Sequence, residues 1–179
     1  MTARDKAAWR AWAADCRRAL VIDHEAVAQN LRRFVERRAG WVLTYRPMAG
    51  EVDIDALLAD HPCAVTRTLP DGRLTVHRAD APTERHRFGY LQPVPGAPEV
   101  PLDDIAGALV PGVLFDVWGT RIGHGLGHYD RLLPLLPAAV PLVGVAPAAL
   151  VVAERLPSEA HDVPMTHLAT EHGLTAVRS

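Results

Sequence analysis

The sequence predicts an α/β protein: one layered sheet, largely parallel in its centre, with helices flanking it. Short apolar runs of strand length alternate with segments of helical periodicity, which is the pattern of such a sheet. The 179 residues suit one domain, and 49% hydrophobic with 22% charged residues is an ordinary globular balance, which argues against disorder or a fibrous architecture. In a sheet of this kind ligands bind beyond the carboxyl ends of the strands.

From Ala3 to Leu20, the apolar residues Trp9, Trp12, Ala13, Cys16 and Leu20 recur at helical spacing, with Lys6, Arg10 and Arg17 along the flank. A second helix is expected from His24 to Ala39, with Asp23 as N-cap, Val27, Leu31, Phe34 and Val35 inward, and Gly40 past its end. Trp41 to Tyr45 reads as a buried strand, followed by the turn Pro47 to Gly50 and a short helix from Ile54 to Asp60 capped by Asp53. Cys63 to Thr68 and Leu74 to Arg78 form a hairpin about Pro70-Asp71-Gly72. Ala79 to Val100, rich in Pro, Gly and charge, reads as a loop of functional length. Ile105 to Val110 is an apolar run, and Val113 to Asp116 leads into the glycine-rich segment Arg121 to Gly127. A helix from Tyr129 to Leu136, a strand from Val140 to Val145, a helix from Ala148 to Arg155 and a final strand from His167 to Thr170 complete the reading.

A net charge of −2 gives no global attraction to nucleic acid or to anionic membrane, so small molecules or proteins are the expected partners. No apolar run reaches the length of a membrane span, and Met1 to Arg18 is charged and helical in pattern, unlike a signal peptide. Cys16 and Cys63 form no CxxC pair and no disulfide framework, which suits a reducing, cytoplasmic compartment. Of the 19 basic residues eighteen are arginine, which singles out Lys6.

The most informative stretch is Arg121-Ile122-Gly123-His124-Gly125-Leu126-Gly127-His128-Tyr129-Asp130-Arg131. Alternate glycines let backbone approach a ligand, and a helix starting directly afterwards points free N–H groups at an anion. By itself the string is equally a structural turn, since its spacing is neither the dinucleotide fingerprint nor the P-loop.

The longer segment, Pro111-Gly112-x-x-Phe115-Asp116-x-x-Gly119-x-Arg121-x-Gly123-x-Gly125-x-Gly127-x-Tyr129-Asp130-Arg131, resembles the signature of the 5-formyltetrahydrofolate cyclo-ligase family. Lys6-x-x-x-Arg10, Met48-x-Gly50-Glu51-Val52-Asp53, Phe88-Gly89-x-Leu91-x-Pro93 and Pro157-x-Glu159-x-His161-Asp162-x-Pro164 with Thr170-Glu171 match further family motifs in the same order. The resemblance implies one cyclo-ligase-like domain over residues 1–179, of Rossmann-like architecture. It implies an ATP- and magnesium-dependent conversion of 5-formyltetrahydrofolate to 5,10-methenyltetrahydrofolate, with release of ADP and phosphate.

By the same resemblance, Lys6, Arg10, Arg121, Gly123, Gly125, Gly127 and Tyr129 bind ATP. Arg46, Glu51, His124, Gly125, Leu126, Gly127 and His128 border the reduced folate, and Asp130 and Asp162 hold Mg2+, a hard cation suited to carboxylate oxygens. The chain departs from the family pattern at Arg46, Gln92, Leu126, His128 and Thr166, departures expected mostly on the folate side. A divergent member that binds nucleotide or folate with little or redirected activity is the alternative. A transition-metal hydrolase built on His124, His128, Asp130 and His161 is a third reading, weakened because the two histidines flank a glycine string instead of sharing a helical face.

Overall fold

The computed structural model describes residues 4–57 and 61–178. Its first elements are α1 (Lys6–Arg18) and α2 (His24–Glu36), each begun by an aspartate that caps it. The Asp5 carboxylate accepts the Ala8 N–H at 2.7 Å and that of Asp23 accepts the Ala26 N–H at 3.0 Å. Then follow β1 (Trp41–Thr44), β2 (Cys63–Thr68), β3 (Leu74–Arg78), β4 (Thr83–Arg85), β5 (Leu91–Pro93), β6 (Ile105–Pro111), β7 (Leu114–Asp116) and β8 (Arg121–Ile122). After α3 (His128–Leu132) come β9 (Leu142–Val145), β10 (Val151–Val152), β11 (His167–Thr170) and β12 (Gly173–Ala176).

Among the described residues, seven strands form the main sheet in the order β12-β11-β9-β6-β1-β2-β3. Every pairing from β11 through to β2 is parallel, while β12 and β3 close the two edges antiparallel. The chain leaves β1 for β2 on one side and returns to place β6 on the other. The switch point of this doubly wound sheet therefore lies between β1 and β6.

Alternating side chains send the core to both faces. Val42, Val65, Leu109 and Val143 pack with Val27, Leu31, Phe34 and Val35 of α2. Leu43, Ala64, Ala108 and Val110 face the other way, against Trp9 and Ala13 of α1 and against Leu114, Phe115 and Ile122. The latter three belong to a second sheet, β10-β7-β8, laid over that face.

Five expectations are corrected. The second helix stops at Glu36, and Arg37 to Gly40 unwind so that Gly40 fits against the Asp104 carbonyl, only 2.9 Å from where a Cβ would stand. The short helix after Asp53 is a single 3-10 turn, Asp55–Leu57, within the described residues; the rest of that expectation, 58–60, lies outside them. The loop 79–100 contains the hairpin β4-β5. The helix expected from Ala148 to Arg155 is one 3-10 turn followed by β10, drawn straight by pairing with β7. His167–Thr170 is not the last strand, because β12 folds back along it.

Candidate active site

A cavity of about 460 Å3 opens at the switch point. Tyr45 and Arg46 follow the end of β1, Thr66 and Thr68 lie in the second half of β2, Pro111 ends β6, and all five line it. The cavity thus lies where a parallel sheet places its ligands. All the residues that the sequence assigns to nucleotide, acceptor and metal line this one space: Lys6, Arg10, Arg46, Glu51, the run from Arg121 through the glycines to Asp130, and Asp162.

One region of the wall is made of opposed charges. Lys6 and Arg10 stand one turn apart on α1. The Lys6 ammonium lies 2.8 Å from Asp162 Oδ2 and 3.0 Å from Glu159 Oε1. Burial alone would lower the Lys6 pKa, but hydrogen bonds to Asp162 and Glu159 outweigh it and raise the value. Asp162 shifts the opposite way, below the usual carboxylate value, because the Lys6 ammonium and the Glu159 N–H outweigh its burial. Arg121, with a side chain only 7% exposed, pairs with Asp130. Each carboxylate expected to hold a cation is therefore bonded to a basic residue expected to hold phosphate.

The glycine segment lines the cavity, as expected of backbone that meets a ligand, and it also packs against arginine side chains. A Cβ on Gly123 would stand 2.7 Å from Arg121 Nη1, so this glycine makes room for the arginine. Gly125 and Gly127 have φ of +91° and +65°, a region that favours glycine, and they reverse the chain beside the guanidinium groups of Arg10 and Arg131. Arg10 Nε also donates to the Gly123 carbonyl at 2.8 Å. The following helix runs as α3 over His128–Leu132 and continues as a 3-10 turn over Leu133–Leu135, close to the expected Tyr129–Leu136.

Around the acceptor residues the structure is specific. Glu51 is buried: Oε2 accepts the Met48 N–H at 2.9 Å and Oε1 lies 3.3 Å from His124 Nε2. Arg46 reaches the cavity but is held by Asp55 at 3.1 Å and by the Ala79 carbonyl at 2.9 Å. His128 Nδ1 donates to the Gly72 carbonyl at 2.6 Å, and Arg131 donates to the same oxygen at 2.7 Å. These two bonds tie the β2-β3 turn to the glycine loop.

Two of the sequence departures lie away from the cavity. Gln92 is buried between hairpins, accepting the Thr68 N–H at 3.2 Å and donating to Glu84 at 3.1 Å. Thr166 bridges both the N–H and the carbonyl of Leu142. Neither lines the cavity, which corrects their placement on the folate side.

Residues the sequence reading did not assign complete the site. Phe88, Tyr90 and Leu91, carried by the β4-β5 hairpin, line it with Leu126; Phe88, Leu91 and Leu126 are exposed. Tyr90 is fixed by Thr68 Oγ1 at 2.9 Å and by stacking on His86, with centroids 4.5 Å apart. The signal was present in Phe88-Gly89-x-Leu91, since exposed apolar residues in a polar loop need a partner. Asp116 is fully buried and accepts the N–H groups of Trp118, Thr120 and Leu156 at 2.9–3.0 Å, bracing the turn that delivers Arg121. Its place in the Phe115-Asp116 pair of the family signature, at the end of an apolar run, was the signal in the sequence.

No group of three His, Cys, Asp or Glu side chains able to hold a metal occurs among the described residues, which removes the ligand set a transition-metal hydrolase needs. No helix among them is long and apolar enough to cross a membrane.

A cavity lined by paired charges and exposed apolar groups, at the switch point of a parallel sheet, is the usual ligand site of an α/β enzyme. The 5-formyltetrahydrofolate cyclo-ligase family model matches residues 6–171, and the chain belongs to that family. It is 38% identical over 95 residues to the 5-formyltetrahydrofolate cyclo-ligase of Mycolicibacterium smegmatis, a match covering 51% of this chain and 47% of that relative, about half its length. The Haemophilus influenzae protein of the same name is 37% identical over 163 residues, covering 79% of this chain and 81% of that one. The NMR structure of Aquifex aeolicus 5,10-methenyltetrahydrofolate synthetase superposes with a TM-score of 0.81 at 31% identity, covering 97% of this chain and 93% of that one. The Mycoplasma pneumoniae 5,10-methenyltetrahydrofolate synthetase shares the fold, with a TM-score of 0.74 at 19% identity over 94% of this chain and 99% of that one.

Proposed function

We propose that residues 1–179 act as one cytoplasmic cyclo-ligase unit that closes 5-formyltetrahydrofolate to 5,10-methenyltetrahydrofolate, consuming MgATP and releasing ADP and phosphate. The observation that carries this reading is the convergence of both basic residues of α1, the glycine loop and both candidate metal carboxylates on one cavity.

The formyl oxygen is a poor leaving group until it receives the γ-phosphoryl group of ATP. N10 then attacks the activated carbon and phosphate departs. In the transfer step the protein's task is positioning and charge neutralisation. Lys6, Arg10 and Arg121 supply the positive charge, and Tyr129, beside Arg121, supplies the wall against which the nucleotide is ordered. Glu51, His124, His128, Leu126 and Phe88 border the acceptor. Asp130 and Asp162 fit Mg2+, because two carboxylates leave the remaining positions to waters and substrate phosphates, the usual condition of this ion. When bound there it would neutralise charge on the transferred group. Each carboxylate must then loosen its present basic partner, which frees Lys6 and Arg121 for phosphate.

The test is spectroscopic detection of methenyltetrahydrofolate from 5-formyltetrahydrofolate. Formation that requires both ATP and Mg2+ supports the reading. Nucleotide binding without product would instead identify a divergent, non-catalytic member.

A further inference from the structure

Ring closure leaves one proton to remove, since N10 carries a hydrogen when it attacks and none in the product. Among the described residues two imidazoles line the cavity, and their hydrogen bonds distinguish them. His128 is spent on the β2-β3 turn through the Gly72 carbonyl, an oxygen it shares with Arg131. His124 meets a carboxylate instead, with Nε2 3.3 Å from Glu51 Oε1. Glu51 is 6% exposed and cannot swing away, because its other oxygen holds the Met48 N–H; His124, 41% exposed, lies toward the open cavity. A carboxylate only accepts, so Nε2 carries the hydrogen in the neutral ring and Nδ1 carries the lone pair. A fixed carboxylate behind an imidazole with a free basic nitrogen is the arrangement of an oriented proton acceptor.

We propose that His124 takes the N10 proton and that Glu51 is the positioning residue that fixes its tautomer, an inference that rests on the cyclo-ligase reading above. The N10 lone pair forms the bond to the activated formyl carbon while the carbon–N5 π pair moves onto N5. The N10–H bond breaks with its electron pair left on N10, and the proton passes to His124 Nδ1. The bond from carbon to the phosphorylated oxygen then breaks, phosphate leaves with that pair, and a nitrogen lone pair completes the amidinium of the product. The imidazolium, stabilised by Glu51, returns its proton to solvent at its exposed edge. The other charged groups about the pair are Arg10, bonded to the neighbouring Gly123 carbonyl, and Arg17, which faces Glu51 and holds α1 to the Gly112 carbonyl at 2.9 Å.

The experiment compares the full-length wild type with His124→Ala, His124→Gln and Glu51→Gln in steady-state formation of methenyltetrahydrofolate, with ATP affinity and circular dichroism measured on each. Loss of the proton acceptor is expected to lower kcat about 100-fold with ATP affinity unchanged. Added imidazole restores turnover to His124→Ala, and Glu51→Gln lowers kcat in the wild type but not in the His124→Ala background. Unchanged kcat in His124→Ala, or a fall that imidazole does not rescue, overturns the assignment. An effect of Glu51→Gln that persists without His124 overturns the positioning role. A wild type that makes no methenyl product under any condition overturns the parent reading, and this inference with it.

Discussion

The cavity has two unlike regions. The wall formed by Lys6, Arg121, Asp130 and Asp162 is closed on itself: its charges are matched in pairs, and its side chains spring from α1, β8, α3 and the loop near residue 160. The wall formed by Phe88, Leu91 and Leu126 is open, with apolar side chains in water on a small hairpin and the glycine loop. Charge that is already paired resists change, because altering one partner strands the other. Apolar surface tolerates it, since each contact contributes independently and in proportion to area. Of the departures from the family pattern that line the cavity, Leu126 lies on the open wall, while Arg46 is held by Asp55 and His128 by the Gly72 carbonyl; Lys6, Arg121, Asp130 and Asp162 keep the pattern.

The largest effect is expected on the charged wall. Asp130→Asn removes one candidate metal oxygen and strands the nearly buried Arg121, so kcat at saturating ATP falls about 100-fold or more and the magnesium requirement shifts upward. A magnesium titration that superposes on the wild type would break the contrast.

Lys6→Ala comes next, with ATP affinity reduced by about 2 kcal/mol, the magnitude of a charged hydrogen bond, as read by calorimetry. The Lys6–Asp162 pair also has a pH signature. Its contribution to stability is complete between about pH 4 and pH 10, bounded by the ordinary carboxylate and ammonium values. It is lost as pH falls through the lowered Asp162 value and as pH rises through the raised Lys6 value. The Tm difference between wild type and Lys6→Ala should be steady near neutrality and shrink in strong acid.

On the open wall, Phe88→Ala should raise KM for the formyl-folate about fivefold, the equivalent of about 1 kcal/mol of lost contact, with ATP affinity untouched. A change in both would mean that the hairpin braces the whole cavity.

The smallest functional effect belongs to Gln92→Ala, which removes a buried link between hairpins. It should cost about 1 kcal/mol of stability in a denaturant melt and leave KM for both substrates where it was.

What the sequence revealed follows from how local each cause is. α1, α2 and the strands Trp41–Thr44 and Leu142–Val145 are legible because helical periodicity, the Asp23 cap and the apolar runs act over a few residues, whereas the Asp5 cap that starts α1 is seen only in the structure. β10 is not, since Val151 and Val152 extend only through pairing with Phe115 and Asp116, some 36 positions earlier. The hairpin β4-β5 is hidden for a similar reason: its strands are three residues each, and Arg67 and Gln92 anchor it to β2. In the site, residue types with a motif were found together, but their present partners were not. Nothing in the sequence says that Arg46 is occupied by Asp55, or that the glycines accommodate arginine side chains.

One contact described above reaches beyond binding. Lys6 and Asp162 are separated by 156 positions, and Arg10 and Gly123 by 113, so the charged wall is assembled from stretches made at widely different moments of synthesis. At ordinary ribosomal speeds, the 156 residues between the two halves of the Lys6 pair correspond to about 8 to 30 s. α1 has no Gly123 carbonyl until residue 123 is made and no Asp162 until residue 162, and part of the stripe bearing Trp9 and Ala13 waits for the second sheet. The charged wall of the cavity is therefore complete only after the later strands have been made.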